Sequence, residues 1–173
     1  VLLHQGIGLD TFNALPKPKA VHALYECCNS VTLAGDLAAR RPYRDHDALF
    51  RRADALLFSL PGSGVDRILN AYPQIGRRPR STKSQAEQCS VWDDDPDVMS
   101  RLADGARAYA DHFGFGFVMC VGGLAAADVL TVLTDRLHND AETERKVVRN
   151  ELAKINRTRL ERMLGPEGGY HNW

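Results

Sequence analysis

The chain has 173 residues, of which 44% are hydrophobic and 25% charged, and its 22 Lys plus Arg balance 22 Asp plus Glu. That is the make-up of one ordinary globular domain, and at this length roughly 68–70% of the unfolded surface can be buried, so neither metal nor disulfide is needed to hold it. Zero formal net charge excludes a global basic field for nucleic acid, an acidic tail and a disordered composition, and no apolar run of about 18 residues exists to span a membrane.

Val1-Leu2-Leu3-His4-Gln5-Gly6 carries no basic region ahead of a hydrophobic run, so no secretion signal is expected. Beyond it the 3.6-residue spacing predicts helices almost throughout. One covers residues 20–28, and Ser30 caps a second that runs to about Ala39. Arg41-Pro42-Tyr43 breaks the pattern. Asp45 then caps a helix carrying Leu49, Ala53, Leu56, Leu57 and Leu60. Pro61-Gly62-Ser63-Gly64 ends it and opens the next, Val65 to Ala71, which Pro73 stops. Gln74 to Lys83 is a loop with Arg77, Arg78, Arg80 and Lys83, and Ser84 begins a short helix. Asp95-Pro96 caps a helix with Val98, Leu102, Ala106 and Tyr109 on one face. Phe113 to Cys120 is apolar without helical spacing, and Gly114 and Gly116 favour an extended, tightly packed crossing over a strand. Two helices follow, about 125–138 with Val129, Leu130, Leu133 and Leu137 inward, and about 141–164 with Val148, Leu152 and Ile155 on one stripe and Glu142 facing Lys146. Gly165-Pro166 stops the last one, and residues 166–173 read as a loosely held tail. The expected fold is all-α, a single-domain helical bundle over residues 1–173.

The chemistry on offer is sparse. Cys27, Cys28, Cys89 and Cys120 lack zinc or redox spacing and read as reduced thiols of a cytoplasmic protein. Among His4, His22, His46, His112, His138 and His171 no pair stands at i,i+4 with a carboxylate between. Gly114-Phe115-Gly116 has no lysine, and Gly122-Gly123 lacks the setting of a dinucleotide site. No metal and no cofactor is therefore expected. The basic loop after Tyr72 reads as a solvated segment or an anion site. Ser84-Gln85-Ala86-Glu87 has the form of a capping box, which leaves Glu87 either a cap or a pocket carboxylate working as acid, base or acceptor.

Taken in order, these pieces resemble the 2-oxo-4-hydroxy-4-carboxy-5-ureidoimidazoline (OHCU) decarboxylase family, from about Cys28 to Leu164. Arg41-Pro42-Tyr43 stands where the family has Arg-Pro-Phe, and Tyr72-Pro73-Gln74-Ile75-Gly76 where it has His-Pro-x-Leu/Ile-Gly. Ser84-Gln85-Ala86-Glu87-Gln88 matches Ser-x-x-Glu-Gln. The likeness continues through Tyr109 to Gly114, Phe117 to Cys120, Arg136-Leu137-His138-Asn139, Glu144, Glu151 to Ile155, and Arg159-Leu160. It implies an all-helical bundle and cofactor-free loss of carbon dioxide from a small, oxidised, anionic purine product in urate degradation. It further implies catalysis by the histidine of His-Pro with help from the glutamate, and a substrate held by Asn and Arg side chains and by backbone groups of the glycine-containing crossing.

The sequence departs from that pattern at the chemistry. Tyr72 replaces the histidine, Ala106 the asparagine three residues before Tyr109, Phe115 a frequently polar residue, and Leu124 the arginine near the Gly-Gly turn. An imidazole titrates near 6.5 and trades protons at neutral pH, whereas a phenol near 10 is mostly a neutral donor. Leu124 cannot compensate a substrate carboxylate. The favoured reading is a cofactor-independent enzyme of the same fold working on a small, relatively apolar carbonyl or carboxylate-containing metabolite by decarboxylation, isomerisation or cyclisation, as in natural-product biosynthesis, with the family's own reaction impaired. The alternatives are that reaction itself, and a non-catalytic small-molecule-binding or structural protein. The expected catalytic residues are Tyr72 and Glu87, and the expected substrate-binding residues Pro73, Ala106, Phe115, Phe117, Val118 and Leu124. The expected partner is a small-molecule substrate, with no nucleic acid and no membrane. From the resemblance, a homodimer is expected through the helix at 141–164.

Overall fold

The computed structural model describes residues 6–75, 91, 93 and 95–167. Among them stand eight helices and no strand, the all-α bundle expected: α1 (Leu9–Ala14), α2 (Lys17–Cys28), α3 (Val31–Ala39), α4 (His46–Ser59), α5 (Gly62–Ala71), α6 (Pro96–Phe113), α7 (Ala126–Arg136) and α8 (Ala141–Leu164). The short helix expected from Ser84 and most of the expected tail lie outside the described residues. The fold forms two compact units, one of the residues up to Ile68 with those from Ala153 on, the other Leu69–Leu152.

In the first unit the caps act as their residue types dictate. Ser30 accepts from the Leu33 amide at 3.2 Å, and Asp45 from the Ala48 amide at 2.7 Å, each satisfying a donor that the first helical turn leaves unpaired. The apolar face buries Leu24, Leu33, Leu37, Leu49 and Leu57. Two features differ from the sequence expectation. Helix α2 starts three residues early, at Lys17, because Pro18 sits in its first turn, where a missing N–H costs nothing. Helix α1 was not foreseen. It is clamped by the Arg-Pro-Tyr break: Arg41 Nη1 donates to the carbonyls of Phe12 at 2.8 Å and Leu15 at 2.7 Å, and Asn13 exchanges two 2.9 Å hydrogen bonds with the backbone of Tyr43. The guanidinium thereby adds a charged donor to the carbonyls at the end of this six-residue helix, where the Phe12 carbonyl otherwise accepts from the Leu15 amide at 3.3 Å.

Tyr43 closes this clamp. It is buried and donates its phenol to the Leu37 carbonyl at 2.7 Å, and burial pushes its pKa up from 10.0 to about 12. The folded state thus favours the protonated phenol, while the unfolded chain ionises near pH 10. The stability is fully present below pH 10 and is lost as pH rises through about 12. The urea midpoint is therefore expected to fall over that window, and Tyr43→Phe to flatten the fall. An identical slope in the variant would remove Tyr43 as its cause.

In the second unit α6 is set by Asp95, whose carboxylate accepts from the Asp97 amide at 2.9 Å, with Pro96 in the first turn. It ends at Gly114, whose φ of 78° is the left-handed conformation that a helix C-cap requires and that glycine adopts without penalty. Helix α7 packs closely against α6. A Cβ on Gly105 would stand 2.9 Å from a methyl of Leu133, so any larger residue there would require that side chain to shift. The first half of α8 completes this unit, and the expected Glu142–Lys146 ion pair forms at 2.9 Å on its exposed face.

Candidate active site

Helix α5 ends at Ala71 because the residue before a proline avoids helical backbone, and Tyr72 precedes Pro73. The Tyr72 amide still reaches the Leu69 carbonyl at 3.1 Å, and the buried Ile75 anchors the turn from its far side. Tyr72, Pro73 and Gln74 are thereby presented, half-buried or exposed, along a cavity of about 330 Å³. Its other walls are Ala106 and Ala110, one helical turn apart on α6, and the crossing from Gly114 to Val118. The volume is at the small end of ligand pockets, which run about 300–1,000 Å³. Among the described lining residues Asn70, Tyr72 and Gln74 carry polar side chains and none is charged.

The crossing is built on aromatic packing. Tyr109, fully buried on α6, meets Phe113 at 4.7 Å, Phe117 at 5.2 Å and Phe115 at 6.0 Å between ring centroids. The Arg136 guanidinium lies over Phe117 at 4.5 Å, and that of Arg145 over Phe115 at 4.7 Å.

Behind this wall sits a buried polar cluster. Glu144 is fully buried, and its Oε1 accepts from the Tyr109 hydroxyl and from Arg136, whose Nε is 2.6 Å away. Its Oε2 accepts from Asn139 at 2.9 Å. Arg136 also donates from Nη1 to the Val118 carbonyl at 2.8 Å and from Nη2 to the Tyr109 hydroxyl at 3.3 Å. Burial first, then the hydrogen bond to Glu144, raises the Tyr109 phenol well above its ordinary value, so it serves as a neutral donor at any physiological pH.

Of the expected site residues, Tyr72, Pro73, Ala106, Phe115, Phe117 and Val118 share this cavity. Leu124 is not among its lining residues; it sits in the turn closed by its own amide on the Val121 carbonyl at 2.9 Å. Glu87 and the basic loop residues Arg77, Arg78, Arg80 and Lys83 lie outside the described residues. Asn70, Gln74 and Ala110 were missed. Ala110 was findable, one turn from Ala106, whereas Asn70 reads in sequence as a plain exposed helix residue. The buried cluster was missed too, although Tyr109, Arg136, Asn139 and Glu144 all stand in the segments that carry the family likeness. A larger groove of about 730 Å³ lies in the first unit, lined by His46, Phe50, Arg157 and Arg162 among others, and holds none of the expected site residues. Among the described residues no three His, Cys, Asp or Glu side chains are grouped to hold a metal ion, and no helix is long and apolar enough to cross a membrane.

A helical unit with a cavity between a Tyr-Pro turn and a Phe-Gly-Phe crossing, uncharged among its described lining residues, defines a small-molecule-site architecture, and its sequence has known counterparts. The chain matches the OHCU decarboxylase family over residues 13–161 and belongs to that family. It is 24% identical over 146 residues to the uric acid degradation bifunctional protein TTL of Arabidopsis thaliana, covering 80% of this chain and 45% of that one. The chain thus spans less than half of that relative's length. It is 29% identical over 140 residues to the 2-oxo-4-hydroxy-4-carboxy-5-ureidoimidazoline decarboxylase of Mus musculus, covering 77% of this chain and 79% of that one. A crystal structure of an OHCU decarboxylase in the presence of (S)-allantoin superposes with a TM-score of 0.73 at 24% identity, over 81% of this chain and 95% of that one, which establishes the shared fold.

Proposed function

We propose that the chain decarboxylates 2-oxo-4-hydroxy-4-carboxy-5-ureidoimidazoline without a cofactor, in the cavity beside Tyr72. The observation that carries this reading is the cavity itself, formed by the Tyr72–Ile75 turn and the Phe115–Val118 crossing, two of the segments in which the family likeness resides. In the reaction the bond from the ring carbon to its carboxylate breaks and carbon dioxide leaves. The electron pair stays on the ring as an enol with the neighbouring carbon, which then takes up a proton as the hydroxyl-bearing carbon becomes a carbonyl. Tyr72 is assigned to donate its phenolic hydrogen bond to the charge that develops on the ring, and Glu87 to deliver the proton. Arg77 and Arg78, two and three residues after Ile75 in sequence, supply cationic side chains for an anionic substrate.

Family membership supports this reaction over a changed substrate, the reading that the substitutions alone favour. A second reading stands on one observation: the described cavity wall is uncharged, with Tyr72, Ala106 and Phe115 where the family places more polar groups. That wall suits a more apolar carbonyl or carboxylate metabolite. Release of carbon dioxide from the freshly generated imidazoline, measured against its spontaneous decay, separates the two. Acceleration is expected on the first reading. Decay at the spontaneous rate would discard it in favour of the second.

Two further expectations belong to this reading. Cys27, Cys28 and Cys120 stand as thiols and not as disulfides, in keeping with the proposed cytoplasmic setting. A homodimer is proposed from the family resemblance, and sedimentation at micromolar concentration should give about twice 19.2 kDa. A clean monomer there would remove it.

A further inference from the structure

We propose that Glu151 and Arg136 are positioning residues, which fix the backbone of the crossing and through it the Phe115–Val118 wall of the cavity. Among the described residues no backbone–backbone hydrogen bond holds residues 115–120; the flanking ones close at Gly114 and at Leu124. A stretch with neither helix nor sheet partners must satisfy its peptide groups in some other way. Here two charged side chains do so for one carbonyl and one amide of the stretch. Arg136 Nη1 donates to the Val118 carbonyl at 2.8 Å, and Glu151 Oε2 accepts from the Cys120 amide at 2.8 Å. The two contacts bracket Met119. One side chain comes from the last turn of α7 and the other from α8, and both hold the crossing from the same unit of the fold.

The two holds differ in character. Arg136 spends Nε and both terminal nitrogens on three acceptors, the Glu144 carboxylate, the Val118 carbonyl and the Tyr109 hydroxyl. A lysine would keep the charge beside Glu144 but has no planar fork with which to reach all three. Glu151 needs only one acceptor oxygen to hold the Cys120 amide, and glutamine offers one in the same place. Leucine offers none. With the holds in place the wall is preorganised; without them substrate must order it on binding, and the loss falls on KM more than on kcat.

The kinetic test rests on the proposed decarboxylation. Glu151→Leu is expected to raise KM for the imidazoline about tenfold with a smaller change in kcat, while Glu151→Gln stays within about twofold of the wild type. Arg136→Lys, which keeps the buried charge, should also raise KM and serves if Glu151→Leu does not fold. Equal values for the Leu and Gln variants, or kcat and KM following thermal stability alone, would overturn the proposal. A wild type that does not turn the imidazoline over would defeat the proposed function separately. In that event 4-fluorophenylalanine labelling decides: the fluorine resonances of Phe115 and Phe117 should shift in Glu151→Leu and return in Glu151→Gln. Unshifted resonances in the Leu variant would overturn the positioning role without any reference to turnover.

Discussion

Tyr72→Phe is expected to fold as the wild type does and to turn over substrate about a hundredfold to a thousandfold more slowly. Removing one preorganised donor from a developing oxyanion typically costs about 2.7–4 kcal/mol of transition-state stabilisation. The ring of Tyr72 is half-buried against the cavity, and phenylalanine keeps that ring while deleting the one atom to which the proposed chemistry is assigned. The substitution also leaves the turn intact, since the turn is set by Pro73, by the Tyr72 amide on the Leu69 carbonyl and by the buried Ile75. Melting temperature and kcat should therefore separate, the first unchanged and the second low. Glu87→Gln is expected to be at least as damaging, because an amide cannot deliver a proton. Full turnover in both variants would make the pair structural and move the chemistry to another part of the cavity. A parallel loss of stability and rate in Tyr72→Phe would instead mark the hydroxyl as a fold contact.

The contrast between what was readable in the sequence and what was not follows the distance over which each residue acts. Ser30, Asp45 and Asp95 cap amides two or three residues ahead of them, so residue type and local order suffice to place those helix starts. The clamp on α1 reaches from Arg41 back to Phe12 and Leu15 across more than twenty residues, and nothing in the local pattern of residues 9–14 announces it. For the cavity, the family likeness located Tyr72, Pro73, Ala106, Phe115, Phe117 and Val118, because contiguous motifs carry their neighbours with them. It did not locate Asn70, whose membership depends on how the end of α5 faces the crossing. Leu124 was placed by its nearness to a Gly-Gly pair, and the turn that holds it leaves it out of the lining. Arg136 and Glu144 posed a different difficulty. A basic residue in a last turn and an acidic one in a first turn are what the helix dipole favours at any exposed helix end. Only the packing of α6, α7 and α8 turns these two inward, toward each other and toward Tyr109.

That inward pair carries the largest stability effect expected of a single substitution here. Glu144→Leu should cost about 3–5 kcal/mol, because it leaves the Arg136 guanidinium buried without its counter-charge, and dehydrating an ion costs more than losing a contact. For a chain of this size that corresponds to a fall in melting temperature of roughly 6–20 °C, at about 2–4 °C per kcal/mol. The same physics predicts a partial recovery that simple contact loss would not give. Adding Arg136→Met to Glu144→Leu removes the stranded charge, and an apolar pair in place of a buried ion pair is often neutral or better. Recovery should stay incomplete, since the Val118 carbonyl, the Tyr109 hydroxyl and the Asn139 amide each lose a partner as well. Urea unfolding of the wild type, the two single variants and the double variant gives the coupling directly. The double variant should lose far less than the sum of the two single losses. Additive losses would mean that the two charges do not depend on each other, and the stability of this unit would then have to be sought in the aromatic packing around Tyr109 instead.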